Sequence, residues 1–430
     1  MPTAPEPDTP RATWRALGRG HRVALVLTAL FCLVVGVRGA VKGLRPQGND
    51  FTIYYDAARA LLEGRSPMSV EGWIYPPAGA FFAAPIAWLP YPVATFLWAF
   101  GGLGTLAWSA WTVARLCAPP GERARAWLLW APTALVARPI DSNFANGQIN
   151  LYVFALVLLG VRALHEGRER RGALGLGAVT ALKVVPALFL AQLAARRRVG
   201  AALLGGLFAA CLVLLPTLPL RGVRGVATDL TRWWTDVLEP FARGAEHLHT
   251  VWPRTPGQSL TGVLYRLATD DPDQLVDRDT PPTPPTLEAL ADARRRVRIA
   301  TAVLLLMLFV PLLARPAPVG SRGFLVECSL VATTALFIAP LVHKAHYVWL
   351  LLPLGVAVAA LFDARASRAS RVGAAVALAA VALLIASTAP ALVGRRESTY
   401  LAVYSAIFLG AVPLHLWLAA DVWRRAFARR

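Results

Sequence analysis

The sequence predicts an all-α polytopic membrane protein, and three observations predict it. The chain of 430 residues is 56% hydrophobic and carries 14 tryptophans, with a mean hydropathy of +0.50. Apolar runs of about 20 residues, the length a helix needs to cross a bilayer, recur from one end to the other. A net charge of +19 falls in short basic segments between those runs, at 11–22, 123–125, 162–171, 196–198, 365–371 and 424–430. That is the positive-inside pattern of cytoplasmic loops. A nucleic-acid surface needs one contiguous basic face, so the distribution excludes nucleic acid and points to the lipid bilayer. Cys32, Cys117, Cys211 and Cys328 lie scattered in apolar segments and read as small core residues.

Residues 1–21 are polar and Pro-rich, then basic, and predict a disordered cytoplasmic N-terminus. No cleavage site follows, so the apolar segment after it reads as a span rather than a signal. The transmembrane domain covers 22–420. Arg22 to Ala40 crosses outward into an outer loop, 41–77. Within that loop apolar side chains recur at 51, 54, 55, 58, 61 and 62, one face of a helix lying along the interface. Asp50 starts this helix and Gly64 ends it.

Ala78 to Leu89 is too short to span and reads as a dipping element. Val93 to Cys117 crosses back, Trp127 to Ile140 goes out, and Ile149 to Leu164 returns, leaving Asp141 to Gln148 as an outer loop. Gly172 to Ala194 is interrupted by Lys183 and Pro186, which predicts two half-helices entering and leaving from the cytoplasmic side. Ala201 to Leu220 crosses outward into the outer segment 221–298. That segment opens on an interfacial helix at Trp233 to Leu238 and contains an open loop at Asp270 to Pro285. Ile299 to Leu313, Gly323 to Val342, Ala345 to Phe362, Val372 to Leu392 and Tyr400 to Ala420 complete a bundle of about 10–12 helices. A basic cytoplasmic tail, 421–430, puts both termini on one side. Asp50, the Asp141 to Gln148 loop, the 221–298 segment and His343-Lys344-Ala345-His346 then share the outer surface.

Asp50 has two readings: an N-cap for the helix that follows, or a carboxylate able to take a proton. Lys183, inside an apolar stretch, is costly enough there to be a functional candidate. Two histidines flanking Lys344 suit a phosphate headgroup, and His247 and His249 add two more in the outer segment. The amide-dense run Asn143 to Asn150 is either a turn or a set of donors and acceptors for sugar hydroxyls, and Gly257-Gln258-Ser259-Leu260 has the same two readings. No H-x-x-x-H pair or Cys cluster falls on one helix face and no Walker, dinucleotide or nucleophile-elbow motif occurs, so neither metal nor cofactor is expected.

Several of these pieces occur in a set order. Asp50-Phe51-x-Ile53-Tyr54-Tyr55-x-Ala57-Ala58 is followed by Tyr75-Pro76-Pro77, Asn146-Gly147-Gln148-x-Asn150 and Lys183-x-x-Pro186. Gln258-Ser259-Leu260 and His346-Tyr347-Val348-Trp349 then close the series. The ordered set, spanning roughly Asn49 to Pro353, resembles glycosyltransferase family 87. The resemblance implies a GT-C-type membrane bundle that transfers a sugar, most simply mannose, from a polyprenyl phosphate to a glycolipid or glycan acceptor. It places the reaction on the extracytoplasmic face of the plasma membrane, with inversion at the sugar and no cofactor. Asp50, matching the family's acidic residue in the first outer loop, would be the general base. Lys344 and His346, with His343, would hold the donor phosphate, and Lys183 or Arg138 would assist. Tyr54, Tyr55, Asn146, Gln148, Asn150, Gln258 and His249 would line the substrates. An arabinofuranosyl transferase on the same scaffold is the neighbouring reading. A transporter would instead show internal repeats and several ionisable residues at mid-membrane depth.

Overall fold

The computed structural model describes residues 17–46, 48–119, 122–243, 257–268, 283 and 286–428. His247, His249, most of the Asp270 to Pro285 loop and residues 1–16 lie outside them. The described chain is all helix and turn, as an apolar chain in lipid requires, because every backbone N–H and C=O must be satisfied internally. Six of its helices are long and apolar enough to cross a membrane, or seven if one bent pair counts as a span. The protein is therefore an all-α polytopic membrane protein, in which several elements are shorter or more broken than the sequence predicts.

Helix α1 (Arg19–Gly43) leads to α2 (Asp50–Leu62), which packs against the short turns that follow it. Gly64, with φ +72°, ends α2 by donating its N–H to the Leu61 carbonyl at 2.9 Å. Short 3₁₀ and α turns over 77–87 form the dipping element. Helix α3 (Tyr91–Cys117) then crosses the bundle.

The expected span Trp127 to Ile140 is broken into Glu122–Leu128, Ala131–Leu135 and α4 (Ala137–Ala145). Pro132 and Pro139, each lacking an N–H, interrupt the helical ladder there. Asp141 and Asn143 consequently sit on a helix, and the turn is confined to Asn146–Ile149.

Helix α5 (Asn150–His165) packs on α6 (Glu169–Leu182) through facing glycines. A Cβ on Gly175 would lie 3.4 Å from the Cα of Gly160. Such close backbone approach holds helices together where lipid offers no hydrophobic driving force. The chain breaks at Lys183–Pro186 and continues as α7 (Ala187–Ala195). The two halves return to one end, where Arg198 pairs with Glu169 at 3.1 Å and buried Arg196 pairs with Glu327. Lys183 thus sits at the tip of a hairpin whose basic foot lies at the opposite end.

Helix α8 (Val199–Leu214) ends six residues before the predicted boundary at Leu220, because Pro216 and Pro219 follow. The path then bends by 99°. Helix α9 (Leu218–Trp233), kinked at Gly222, continues through a π-helical turn at Trp234–Leu238. Arg221 anchors it, donating to Asp229 at 2.9 Å and to the Gly64 carbonyl at 2.6 Å, while Ser66 donates to the same Asp229.

Short α10 (Leu260–Arg266) precedes α11 (Leu287–Ala314), which starts a dozen residues before the predicted Ile299. Helix α12 (Arg322–Ile338) follows, then a 3₁₀ segment Lys344–Leu350 that runs into α13 (Leu351–Phe362). Helix α14 (Arg368–Ala380) leads to α15 (Ala406–Phe427). The predicted span Tyr400 to Ala420 is split at Ser405, whose φ is +64°, and α15 runs on through residues expected to form the tail. Arg266 explains the break: it donates to the Val403 carbonyl at 2.8 Å and to Ser405 Oγ at 2.6 Å.

Candidate active site

Asn49, not Asp50, caps α2. Its Oδ1 accepts the Phe51 N–H at 3.0 Å, while the Asp50 N–H goes to the Asn146 carbonyl at 3.0 Å. The Asp50 carboxylate is therefore free of capping duty and turns into a cavity. Its partner is Gln148, whose Nε2 donates to Asp50 Oδ2. Gln148 is placed by Gly147, at φ +61°, where any Cβ would collide with Asn49 Oδ1. Trp98 Nε1 holds the same turn by donating to the Gly147 carbonyl at 3.0 Å.

From Gln148 the polar chain continues inward. Asn150 Nδ2 donates to Gln148 Oε1 at 3.1 Å, and Lys183 Nζ donates to Asn150 Oδ1 at 2.9 Å. Lys183 Nζ also lies 3.0 Å from His346 Nε2. His346 Nδ1 accepts the His343 backbone N–H at 3.1 Å, so a neutral ring carries its proton on Nε2 and directs it at Lys183. Two nitrogen donors facing one another are arranged to share an oxygen anion.

These groups border a cavity of about 270 Å³. Asp50, Tyr54, Gln148, Lys183, His343 and His346 line its polar part. Its apolar part is formed by Ile74, Val184, Val185, Val237, Leu238 and Phe241. Tyr54 and Tyr75 meet hydroxyl to hydroxyl at 3.1 Å, and the Tyr75 ring lies 5.8 Å beneath Lys183 Nζ. Burial pushes the Asp50 carboxyl above the usual carboxylate range, against the Gln148 hydrogen bond and the positive charges of Lys42 and Lys183. A carboxylate held this way is a better proton acceptor than an exposed one.

The other expected site residues lie elsewhere. Tyr55 donates to the Leu89 carbonyl at 2.7 Å, and Asn146 to the Ser142 carbonyl at 2.8 Å. Gln258 is wholly buried, with Nε2 donating to the Ala402 carbonyl at 2.7 Å. It helps hold the break before α15. Arg138 pairs with Asp141 at 2.9 Å, and Lys344 lines no part of the cavity. His249 lies outside the described residues. Sequence reasoning missed the wall contributed by Val184 and Val185, whereas the expected interfacial helix at Trp233 to Leu238 does line the cavity, through Trp233, Val237 and Leu238.

A family profile described as glycosyltransferase family 87 matches residues 73–340. A polyprenol-phosphate-mannose-dependent alpha-(1-2)-phosphatidylinositol mannoside mannosyltransferase of Mycobacterium tuberculosis is 30% identical over 370 residues, covering 79% of this chain and 78% of the relative. A protein of the same description from Mycolicibacterium smegmatis is 30% identical over 284 residues, 60% of this chain and 61% of that one. A phosphatidylinositol pentamannoside mannosyltransferase of Mycobacterium tuberculosis is 27% identical over 212 residues, 45% of this chain and 48% of the relative. No solved structure matches. With a profile spanning more than half its length and a relative 30% identical over 79% of it, the chain belongs to glycosyltransferase family 87.

Proposed function

We propose that the protein transfers mannose from a polyprenyl phosphate to a glycolipid acceptor, with Asp50 as general base. The observation that carries this reading is one cavity bordered by three different surfaces. It has a carboxylate at Asp50, a nitrogen-donor cluster at Lys183, His343 and His346, and an apolar wall from 184–185 and 237–241. A lipid-linked sugar phosphate presents the matching parts: a hydroxyl to deprotonate on its acceptor, an anionic leaving group and a chain. The mannose and the polyprenyl donor are supported by the names of the relatives.

In this mechanism the acceptor oxygen attacks the anomeric carbon while the bond from that carbon to the phosphate oxygen breaks. The acceptor's proton passes to Asp50, and the electron pair of the broken bond leaves with the polyprenyl phosphate. A phosphate needs no protonation to leave, so a single base suffices, and a single displacement inverts the anomeric centre. Lys183 and His346 bind the leaving oxygens through charge-assisted hydrogen bonds. Gln148 holds the Asp50 carboxylate toward the cavity. Arg162 on α5, Arg196 to Arg198 after α7, Arg322 at the start of α12 and Arg424 on α15 lie at the ends of their helices remote from the cavity residues, and the positive-inside rule makes this support for an extracytoplasmic reaction.

The test is a transfer assay on the full chain in lipid nanodiscs, with radiolabelled polyprenyl-phosphate-mannose and a phosphatidylinositol mannoside. An elongated mannolipid is the expected product. Transfer from polyprenyl-phosphate-arabinofuranose and none from the mannose donor would replace the sugar, and no transfer from either would remove the reading.

A further inference from the structure

Lys344 poses a problem that the cavity does not solve. It is half-buried, borders no part of the cavity, and makes no hydrogen bond or ion pair with any described residue. Helix α4 packs on the 3₁₀ segment Lys344–Leu350, which brings another cation, Arg138, within electrostatic reach of Lys344. Arg138 is itself only 9% exposed. One of its terminal nitrogens, Nη1, donates to Asp141 at 2.9 Å, and Nε lies 3.3 Å from the Thr388 carbonyl. Its Nη2 has no partner among the described residues. Asp141 is shared with Arg38, and Lys42 donates to the Ala145 carbonyl at the other end of α4 at 2.7 Å. Arg38 and Arg138 therefore meet at Asp141, with Lys42 and Lys344 on the segments packed around α4.

Arg38 and Lys42 are exposed, but Arg138 is buried and Lys344 half-buried, and holding those two like charges together out of bulk water is unfavourable unless an anion completes the pair. Asp141 serves Arg38 and Arg138, and the Lys42 charge acts on Asp50, so neither carboxylate pairs with Lys344. The place of the cluster suggests which anion it takes. Lys344 directly follows cavity-lining His343, and the Lys42 charge reaches Asp50, so the group flanks the base rather than the leaving-group cluster at Lys183 and His346. A ligand whose hydroxyl is presented to Asp50 would carry its own charge toward this flank.

We infer that Lys344 and Arg138, with Arg38 and Lys42 around them, form a second anion site that binds the phosphodiester of an anionic glycolipid acceptor. The inference rests on the transferase reading above and adds to it a separate site for the acceptor's charge. Two substrates that both carry phosphate are then kept apart, each by its own cations.

The test compares an anionic with a neutral acceptor in phosphatidylcholine nanodiscs. The probes are a phosphatidylinositol mannoside and an alkyl α-mannoside that lacks phosphate, each with polyprenyl-phosphate-mannose as donor. Wild-type transfer to either acceptor establishes the reaction independently of this site. Lys344→Gln should raise KM for the phosphatidylinositol mannoside about tenfold or more, as expected for a lost charge-assisted hydrogen bond. KM for the alkyl mannoside and for the donor should be unchanged, and Lys344→Arg should restore most of the preference. A rise in the donor KM would return Lys344 to the donor phosphate and overturn the inference. Equal losses with both acceptors, or a preference that disappears only when anionic lipid is added to the disc, would overturn it as well. A melting curve of each variant shows that the comparison is made on folded protein.

Discussion

The bundle buries charge at both ends, and the two clusters are built differently. At the basic end, Arg196 pairs with Glu327, and both side chains are at most 5% exposed. Arg196 Nη2 donates to the Ala317 carbonyl at 2.5 Å, and Glu327 Oε1 accepts the Ala317 N–H at 2.6 Å. The Arg196 guanidinium also stacks 4.9 Å over the Phe324 ring. Both charges are matched, and no cavity of the site touches them. At the other end, Asp50 and Lys183 are linked only through the amides of Gln148 and Asn150. The remaining valences of Asp50, Lys183 and His346 face a cavity. A buried ion pair with every hydrogen bond made is architecture, and buried charges left facing open space are reserved for a ligand.

The comparison breaks most sharply at Asp50. Asp50→Asn should cut transfer by roughly 10²–10⁴-fold, the contribution of a positioned general base. The helix keeps its cap, because Asn49 provides it. Stability should hold or rise, and the sign follows from the pKa. Burial lifts the folded-state pKa of Asp50 above its unfolded value of about 3.9, so the ionised carboxylate is disfavoured by folding. Relative stability is greatest below the unfolded pKa and falls as pH rises through the folded one. The Asn variant lacks that decline, so its melting temperature should depend less on pH. In wild type, transfer should rise with pH through the same folded pKa. Wild-type turnover in Asp50→Asn would make the cavity a binding site without this base.

Much of this arrangement was legible in the sequence, for physical reasons that can be named. The hairpin tip at Lys183 was readable because a lysine and a proline in an apolar run admit few other structures. The short interfacial helix after Asp50 was readable from its apolar period. The cap reading of Asp50 fails because the adjacent Asn49 is an equally good cap, and only backbone geometry distinguishes the two. Gln258 looked like a substrate amide, but the carbonyls it serves belong to a break 144 residues away that no local pattern announces. Lys344 was grouped with His346 by proximity in sequence, whereas a 3₁₀ turn directs the two side chains to different neighbours. The family profile begins at Trp73, downstream of Asp50, so the proposal of Asp50 as base rests on the geometry of the cavity.

The architectural end should respond in the opposite way. Glu327→Gln leaves the Arg196 charge buried without its counter-ion, and breaking such a pair costs about 3–5 kcal/mol. Thermal or denaturant unfolding in detergent should show that loss. The protein that remains folded should transfer mannose with unchanged KM for both substrates, since Glu327 lies at the end of α12 remote from the cavity. A fall in kcat with stability intact would mean that the two ends are coupled, and the division between architecture and chemistry would fail.

Lys183 sharpens the comparison, because it belongs to the cavity yet also holds part of its wall. Lys183→Gln removes the charge and retains an amide able to reach Asn150, so the hairpin tip should survive with little change in melting temperature. If Lys183 and His346 bind the leaving phosphate, the variant loses a charge-assisted hydrogen bond of roughly 1.5–3 kcal/mol. The donor KM should then rise by about tenfold or more while the acceptor KM stays put. Part of the loss should appear in kcat, since the charge on the leaving oxygens grows toward the transition state. His346→Ala should act in the same direction, and the double variant should lose less than the two single losses combined, because both donors share one oxygen. An unchanged donor KM in Lys183→Gln, or strict additivity with His346→Ala, would mean that Lys183 only braces Asn150 and Gln148 behind the base. The donor phosphate would then have to be sought among the remaining cavity residues, beginning with His343.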